Sequence, residues 1–174
     1  MNKLYQMDEC VNVANIGTKI ISNYLLSRDN TIKLINVEKD KKFQSIDIDL
    51  LLISNVDNNV ELSTIEIKVD TYDTGNYFFE TISNMNKNTD GCFLYSQAKW
   101  LYYYFLNTDE LHIFEFSNIR LYLKDNYKRF ESKKPLTTCG DIPYYNSFGY
   151  IVPITTIKNE LKKVFIIKGL KQYE

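Results

Sequence analysis

The spacing of hydrophobic positions changes several times along the chain, and each change marks an element. In DECVNVANIGTKIISNYLLS (residues 8–27), Val13, Ile16, Ile20 and Tyr24 recur every three or four residues behind Asp8 and Glu9. That spacing, with acidic residues where the helix dipole favours them, predicts an opening amphipathic helix. TIKLINVE (31–38), FQSIDIDLLLIS (43–54) and ELSTIEIKVD (61–70) alternate with period two between short polar breaks, the pattern of an antiparallel meander. After TYDTG the spacing becomes helical again, with Phe78, Ile82 and Met85 on one stripe and Thr74 or Asn76 as N-cap. GCFLYS (91–96) predicts a short strand, QAKWLYYYFLN (97–107) a helix capped by Ser96, LHIFEF (111–116) a strand and SNIRLYLKD (117–125) a short helix capped by Ser117. Periodicity is lost over 126–149, which predicts a long basic loop punctuated by proline and glycine. YIVPI (150–154) predicts a strand, and 155–168 a closing helix or strand. Helices alternating with strands in this order predict a three-layer α/β/α domain around a mixed central sheet.

A chain of 174 residues is long enough to bury a core as one domain, with an expected core over about 8–116 and a C-terminal extension over about 117–174. Basic and acidic residues nearly cancel, for a net charge of -1, so binding to nucleic acid would need a local patch rather than a general charge excess. No apolar run approaches the length a bilayer requires, and MNKLYQMDEC lacks the apolar stretch of a signal peptide, so a cytoplasmic protein is expected. Cys10, Cys92 and Cys139 are far apart and odd in number, which points to reduced, packed thiols rather than a disulfide frame. The single histidine, His112, excludes histidine-rich zinc hydrolases, and its place in the alternating run ELHIFEF reads as structural.

The chemistry concentrates in two neighbouring runs. Side chains two apart on a strand share a face, so Glu66, Lys68 and Asp70 lie opposite Ile65, Ile67 and Val69. Asp47 and Asp49 form a second same-face pair one run upstream. A tight turn at Asp57–Asn58 pairs residues whose numbers add to 115, which puts Asp49 opposite Glu66 and Asp47 opposite Lys68. A slip to Asn58–Asn59 puts Asp49 opposite Lys68 and leaves Asp49 and Glu66 diagonal. Directly opposed carboxylates, with Cβ atoms about 5 Å apart, repel unless a cation lies between them, and an all-oxygen site suits Mg²⁺ or Mn²⁺. Acid-x-Lys triplets also occur at Asp40, Glu131 and Glu160, but in polar surroundings without an acidic partner strand.

Helix, meander with an acidic second strand, IEIKV on the third strand, then helix and strand: this order resembles the core of the PD-(D/E)XK nuclease superfamily, over about residues 8–116. Asp49 in IDLLL looks like its motif aspartate, and Glu66 and Lys68 like its E-x-K pair, while Ile48 replaces the proline of the superfamily name. DTGNYFFETISN is similar to small phage-type members. The resemblance implies metal-dependent hydrolysis of DNA, duplex or branched, by a homodimer. Asp49, Glu66 and the backbone carbonyl of Ile67 would hold Mg²⁺ or Mn²⁺, with Asp47 as the second choice, and Lys68 would assist the water or the developing charge. Glu9 and Glu80 are candidate supporting residues, although Glu9 also suits a helix N-terminus. Lys124, Tyr127, Lys128, Arg129, Lys133 and Lys134 would meet phosphates and bases. The competing reading is a catalytically inactive nuclease-fold protein that binds nucleic acid or acts as an inhibitor of a host enzyme.

Overall fold

Three of the predicted strands do form a meander, and the rest of the molecule is assembled around it. The computed structural model describes residues 4–71, 73–139, 142–161 and 163–174. In chain order its elements are β1 (Leu4–Gln6), α1 (Met7–Leu26), β2 (Thr31–Asn36), α2 (Lys41–Gln44), β3 (Leu50–Val56), β4 (Asn59–Asp70), β5 (Asn76–Asn84), β6 (Thr89–Asp90) and α3 (Cys92–Tyr95). They continue as β7 (Trp100–Phe105), β8 (Glu110–Glu115), α4 (Phe116–Asn126), β9 (Glu131–Lys133), β10 (Leu136–Cys139), β11 (Ile142–Asn146), β12 (Phe148–Pro153), α5 (Ile154–Glu160) and β13 (Val164–Lys168). The protein is a mixed α/β fold whose six-stranded central sheet runs β13-β8-β7-β4-β3-β2. Only the β4–β7 pair in that sheet is parallel.

Each face of the central sheet has its own core. On one side Ile20, Ile21 and Leu25 of α1 pack on Leu50, Leu52, Ile65, Ile67, Tyr104 and Leu111. Gly17 lets the helix come this close, because a Cβ there would collide with Val69. On the other side Leu101, Tyr103, Phe105 and Phe114 meet Tyr77 and Phe79 of β5, Val152 of β12, and residues of α3, α4 and α5. That third layer therefore combines short helices with a four-stranded sheet, β6-β5-β12-β9. β12 pairs with β5 and β13 with β8, so the C-terminal third is woven into both sheets.

Several segments differ from the elements their spacing predicts. FQSIDI does not extend the second strand of the meander: α2, capped by the Asp40 carboxylate accepting from the Lys42 N–H at 2.9 Å, precedes β3, which starts only at Leu50. Residues 76–84 are a strand, not a helix, because Tyr77 and Phe79, two apart, are the pair buried in the core, while Phe78 and Ile82 are only half-buried and Met85 lies exposed beyond the end of the strand. Residues 100–105 are likewise a strand. Leu101 through Phe105 are all buried, and such a central strand, covered on both faces, shows no alternation to separate it from a helix. GCFLYS forms the short helix α3 instead of a strand. The expected loop over 126–149 holds a 3-10 turn and β9, β10, β11 and the start of β12. Gly140 and Asp141, and the side chain of Cys139, lie outside the described residues.

Candidate functional site

The acidic site begins with the turn between β3 and β4. Asp57 and Asn58 both take positive φ, 50° and 65°, the geometry of a two-residue hairpin turn whose twist matches the strands. This fixes the pairing that runs from Val56 opposite Asn59 to Leu50 opposite Ile65, so the register is the one with numbers adding to 115. The ladder ends just before the aspartates. Asp49 still donates its N–H to the Ile65 carbonyl at 2.9 Å, and its Oδ2 accepts the Ile67 N–H at 2.8 Å. The Ile67 carbonyl leaves the same edge of the strand, because N–H and C=O of one strand residue point to one side.

Asp47 takes a left-handed conformation, φ 55°, which an aspartate tolerates better than most residues and which ends the extended run. Its carbonyl accepts from Ser96 Oγ at 2.8 Å, its Oδ1 accepts from the Tyr95 hydroxyl at 2.9 Å, and Gln97 N–H donates to the Ile46 carbonyl at 2.8 Å. The acidic turn is thus stapled to α3 and the segment that follows it. α3 in turn lies hard against β5. Gly91 donates its N–H to the Thr81 carbonyl, and a Cβ at Gly91 would strike the Glu80 carbonyl. Arg120 of α4 secures the far side, donating to the carbonyls of Phe93 and Ser96 at 2.6 Å each while its guanidinium lies 4.0 Å from the centre of the Phe116 ring.

These contacts converge on Glu66, which is buried. Ligand atoms of Asp47, Glu66 and Cys92 all lie within 4.8 Å of one another. Among the described residues, Asp47 Oδ2 and Glu66 Oε2 are buried oxygens with no hydrogen-bond partner. Burial raises the pKa of Asp47, Asp49 and Glu66, Asp49 to about 6; the Asp49 and Asp47 carboxylates raise Glu66 further, whereas at Asp49 the Ile67 N–H and Glu66 oppose burial while Glu38 and Asp47 add to it. Lys68, next along the same face, lines a narrow crevice with Glu80, Cys92, Phe79 and Phe93. Burial alone would lower its pKa, but Glu80, Asp70 and Glu66 outweigh burial and hold the ammonium above the usual lysine range.

The structure thus gathers Asp47, Asp49, Glu66 and Lys68. Asp47, the second choice from sequence, sits inside the 4.8 Å group, and Asp49 stands beside it, anchored on Ile67. Glu80 approaches Lys68 from strand β5 rather than from a helix. Glu9 is exposed in the first turn of α1. Lys124, Tyr127, Lys128, Arg129, Lys133 and Lys134 are exposed along the end of α4, the 3-10 turn and β9. Among the described residues no hydrogen bond or ion pair joins them to Asp47, Asp49 or Glu66, and Arg129 is engaged by Glu160 at 2.7 and 2.8 Å. His112 is fully buried between Tyr77 and Glu110, a structural position. Cys92, Tyr95 and Arg120 are the site residues that sequence reasoning missed. Each reaches the site only through the docking of α3, for which the sequence offers no more than Gly91.

No protein-family model matches the chain, and neither does any curated protein or solved structure. Fold and site together define a mixed α/β protein with a buried, carboxylate-rich centre beside a lysine. No helix among the described residues is long and apolar enough to cross a membrane.

Proposed function

We propose that this protein is a metal-dependent nuclease that hydrolyses phosphodiester bonds in DNA, working as a homodimer when both strands are cut. The observation that carries the reading is the pair of unpartnered buried oxygens, Asp47 Oδ2 and Glu66 Oε2, set among further carboxylates and close to Lys68 on the same strand face as Glu66. Buried polar atoms normally find partners, and an anion left without one costs stability unless a cation arrives. The donor set fits Mg²⁺ or Mn²⁺: Asp47, Asp49, Glu66 and the Ile67 carbonyl would hold the ion. When bound, the ion supplies positive charge that polarises a phosphodiester and makes water more acidic.

The chain's own residues do the rest. Asp49, fixed by the Ile67 N–H, keeps one carboxylate in place without the cost of ordering it during the reaction. Lys68 stays charged at neutral pH and shares the strand face of Glu66, so it would offset negative charge developing on the phosphate oxygens or orient the water. Tyr95 and Arg120 hold the Asp47 turn and α3 in position.

The test is cleavage of supercoiled plasmid, branched DNA and single strands in Mg²⁺ or Mn²⁺, with Glu66→Gln and Lys68→Ala beside the native chain. Metal-dependent cutting lost in both variants supports the reading. Folded protein that cuts no substrate and gives no heat with Mn²⁺ rejects it in favour of a nuclease-fold binding or inhibitor module.

A further inference from the structure

Among the described residues, the three metal-ligating side chains that gather within 4.8 Å of one another do not offer oxygen alone. Asp47, Glu66 and Cys92 form the group within 4.8 Å, and Glu66 lies buried with Oε2 unpartnered in its midst. With metal–oxygen bonds of about 2.1 Å and a metal–sulfur bond of about 2.3 Å, ligand atoms on one tetrahedral ion stand about 3.5 Å apart, so a small inward shift of the three side chains would bring them onto a single ion. Cys92 is in no disulfide, and its backbone is fixed: Gly91 is pressed against β5, and the Ser96 N–H donates to the Cys92 carbonyl at 3.1 Å. Lys68 lines the same crevice as Cys92.

We propose that Cys92 Sγ is a ligand of the cation held by Asp47 and Glu66, so that the centre is a mixed carboxylate–thiolate site that prefers Co²⁺, Zn²⁺ or Cd²⁺ to Mg²⁺. This deepens the reading of the cluster as a cation site and rests on it. Ligation replaces the S–H bond with a sulfur–metal bond and releases the proton to solvent. The dication and the Lys68 ammonium together offset the three anionic ligands. A soft sulfur donor raises affinity for thiophilic ions and contributes little to Mg²⁺, which demands oxygen. The consequence is metal selectivity set by one side chain.

The experiment uses the full chain with Cys10→Ser and Cys139→Ser, so that Cys92 is the only thiol. Co²⁺ is titrated while the near-ultraviolet spectrum and proton release are followed, and Cd²⁺ and Mg²⁺ binding are measured by calorimetry with and without Cys92→Ser. The proposal expects a sulfur-to-cobalt charge-transfer band that saturates at one ion per chain. It also expects Cys92→Ser to weaken Cd²⁺ binding by roughly tenfold or more while Mg²⁺ binding changes by less than about threefold. Co²⁺ binding without the band overturns the thiol ligand and leaves an all-oxygen cation site standing. No binding of Co²⁺, Cd²⁺ or Mg²⁺ to folded protein overturns both. The band is read with Cys92 intact, so the outcome does not depend on the variant folding.

Discussion

Two buried polar clusters share one face of the central sheet, and they are built on opposite principles. At the β8 end, His112 is fully buried, yet its Nδ1 meets the Tyr77 hydroxyl at 2.5 Å and its Nε2 meets Glu110 at 3.1 Å, while Glu110 also pairs with Lys168. Both ring nitrogens have partners, and rings of Tyr77 and Phe105 pack around the imidazole. At the β4 end, Glu66 is almost as deeply buried, but it is surrounded by further acids, with two oxygens of the cluster unpartnered. The first cluster stabilises the fold as it stands. The second leaves a free-energy cost that protonation or a ligand of positive charge removes, and such costs gather at functional sites. Burial alone therefore does not distinguish the two clusters; satisfaction of their polar atoms does.

The largest expected effect follows from removing charge at the unsatisfied cluster. Glu66→Gln should lower metal-dependent cleavage by at least about a hundredfold and abolish the Mn²⁺ calorimetric signal, without lowering the melting temperature of the metal-free protein. A destabilised Glu66→Gln chain would mean that Glu66 is structural like His112, and the contrast would collapse. His112→Ala should do the reverse. It leaves the Tyr77 hydroxyl without its ring partner and opens a cavity among aromatic rings, at a cost of about 2–4 kcal/mol in denaturant unfolding, with cleavage per folded molecule unchanged.

The hairpin was the legible part of both fold and site. Asp57–Asn58 and the alternation in IEIKV give register and face together, because a two-residue turn and a period of two leave few alternatives. The pair Asp49 and Glu66 follows from that register. Residues 76–105 were not legible in the same way. Tyr77–Phe79 and Leu101–Phe105 are apolar runs buried by tertiary packing, and their spacing fits either period until the partner layer is known. Cys92 inherits that difficulty, since its place beside Glu66 depends on α3 docking between β5 and Arg120.

A smaller effect separates the clusters by pH. Asp49 has its pKa raised from 3.8 to about 6, so the metal-free native state binds protons that the unfolded chain releases, and this contribution to stability is lost as pH rises from about 4 to about 6. Asp49→Asn removes the loss while still offering an oxygen to the Ile67 N–H. At pH 7 it should stabilise the metal-free protein by about 1–3 kcal/mol, a gain that vanishes near pH 4. His112 works with the opposite slope: burial lowers its pKa from 6.5, the unfolded chain takes the proton first, and stability falls as pH drops below 6.5. Urea unfolding across pH 4–7 on the native chain and the Asp49→Asn and His112→Ala variants separates the two slopes. If Asp49→Asn proves no more stable than the native chain at pH 7, the cluster carries no electrostatic cost.

The smallest effect is expected where satisfaction comes without burial. Arg129 grips Glu160 through both guanidinium nitrogens, and this holds the Glu160 carboxyl down to about 2, but the pair is exposed. Solvent and salt screen such a pair, so Arg129→Gln and Glu160→Gln should leave the melting temperature at pH 7 unchanged. Whatever the pair does contribute is present above about 4.5 and lost as pH falls toward about 2. Its more informative readout is nucleic acid. Glu160→Gln frees the Arg129 charge beside Lys128 and Lys124, so if this basic edge meets phosphates the variant binds DNA more tightly, with a salt dependence steeper by about one charge. Arg129→Gln leaves the Glu160 carboxylate uncompensated at the same edge, so that variant binds more weakly. Equal DNA binding by both variants and the native chain, at every salt concentration, would remove residues 124–134 from the contact surface and leave the acidic cluster to find its substrate by other means.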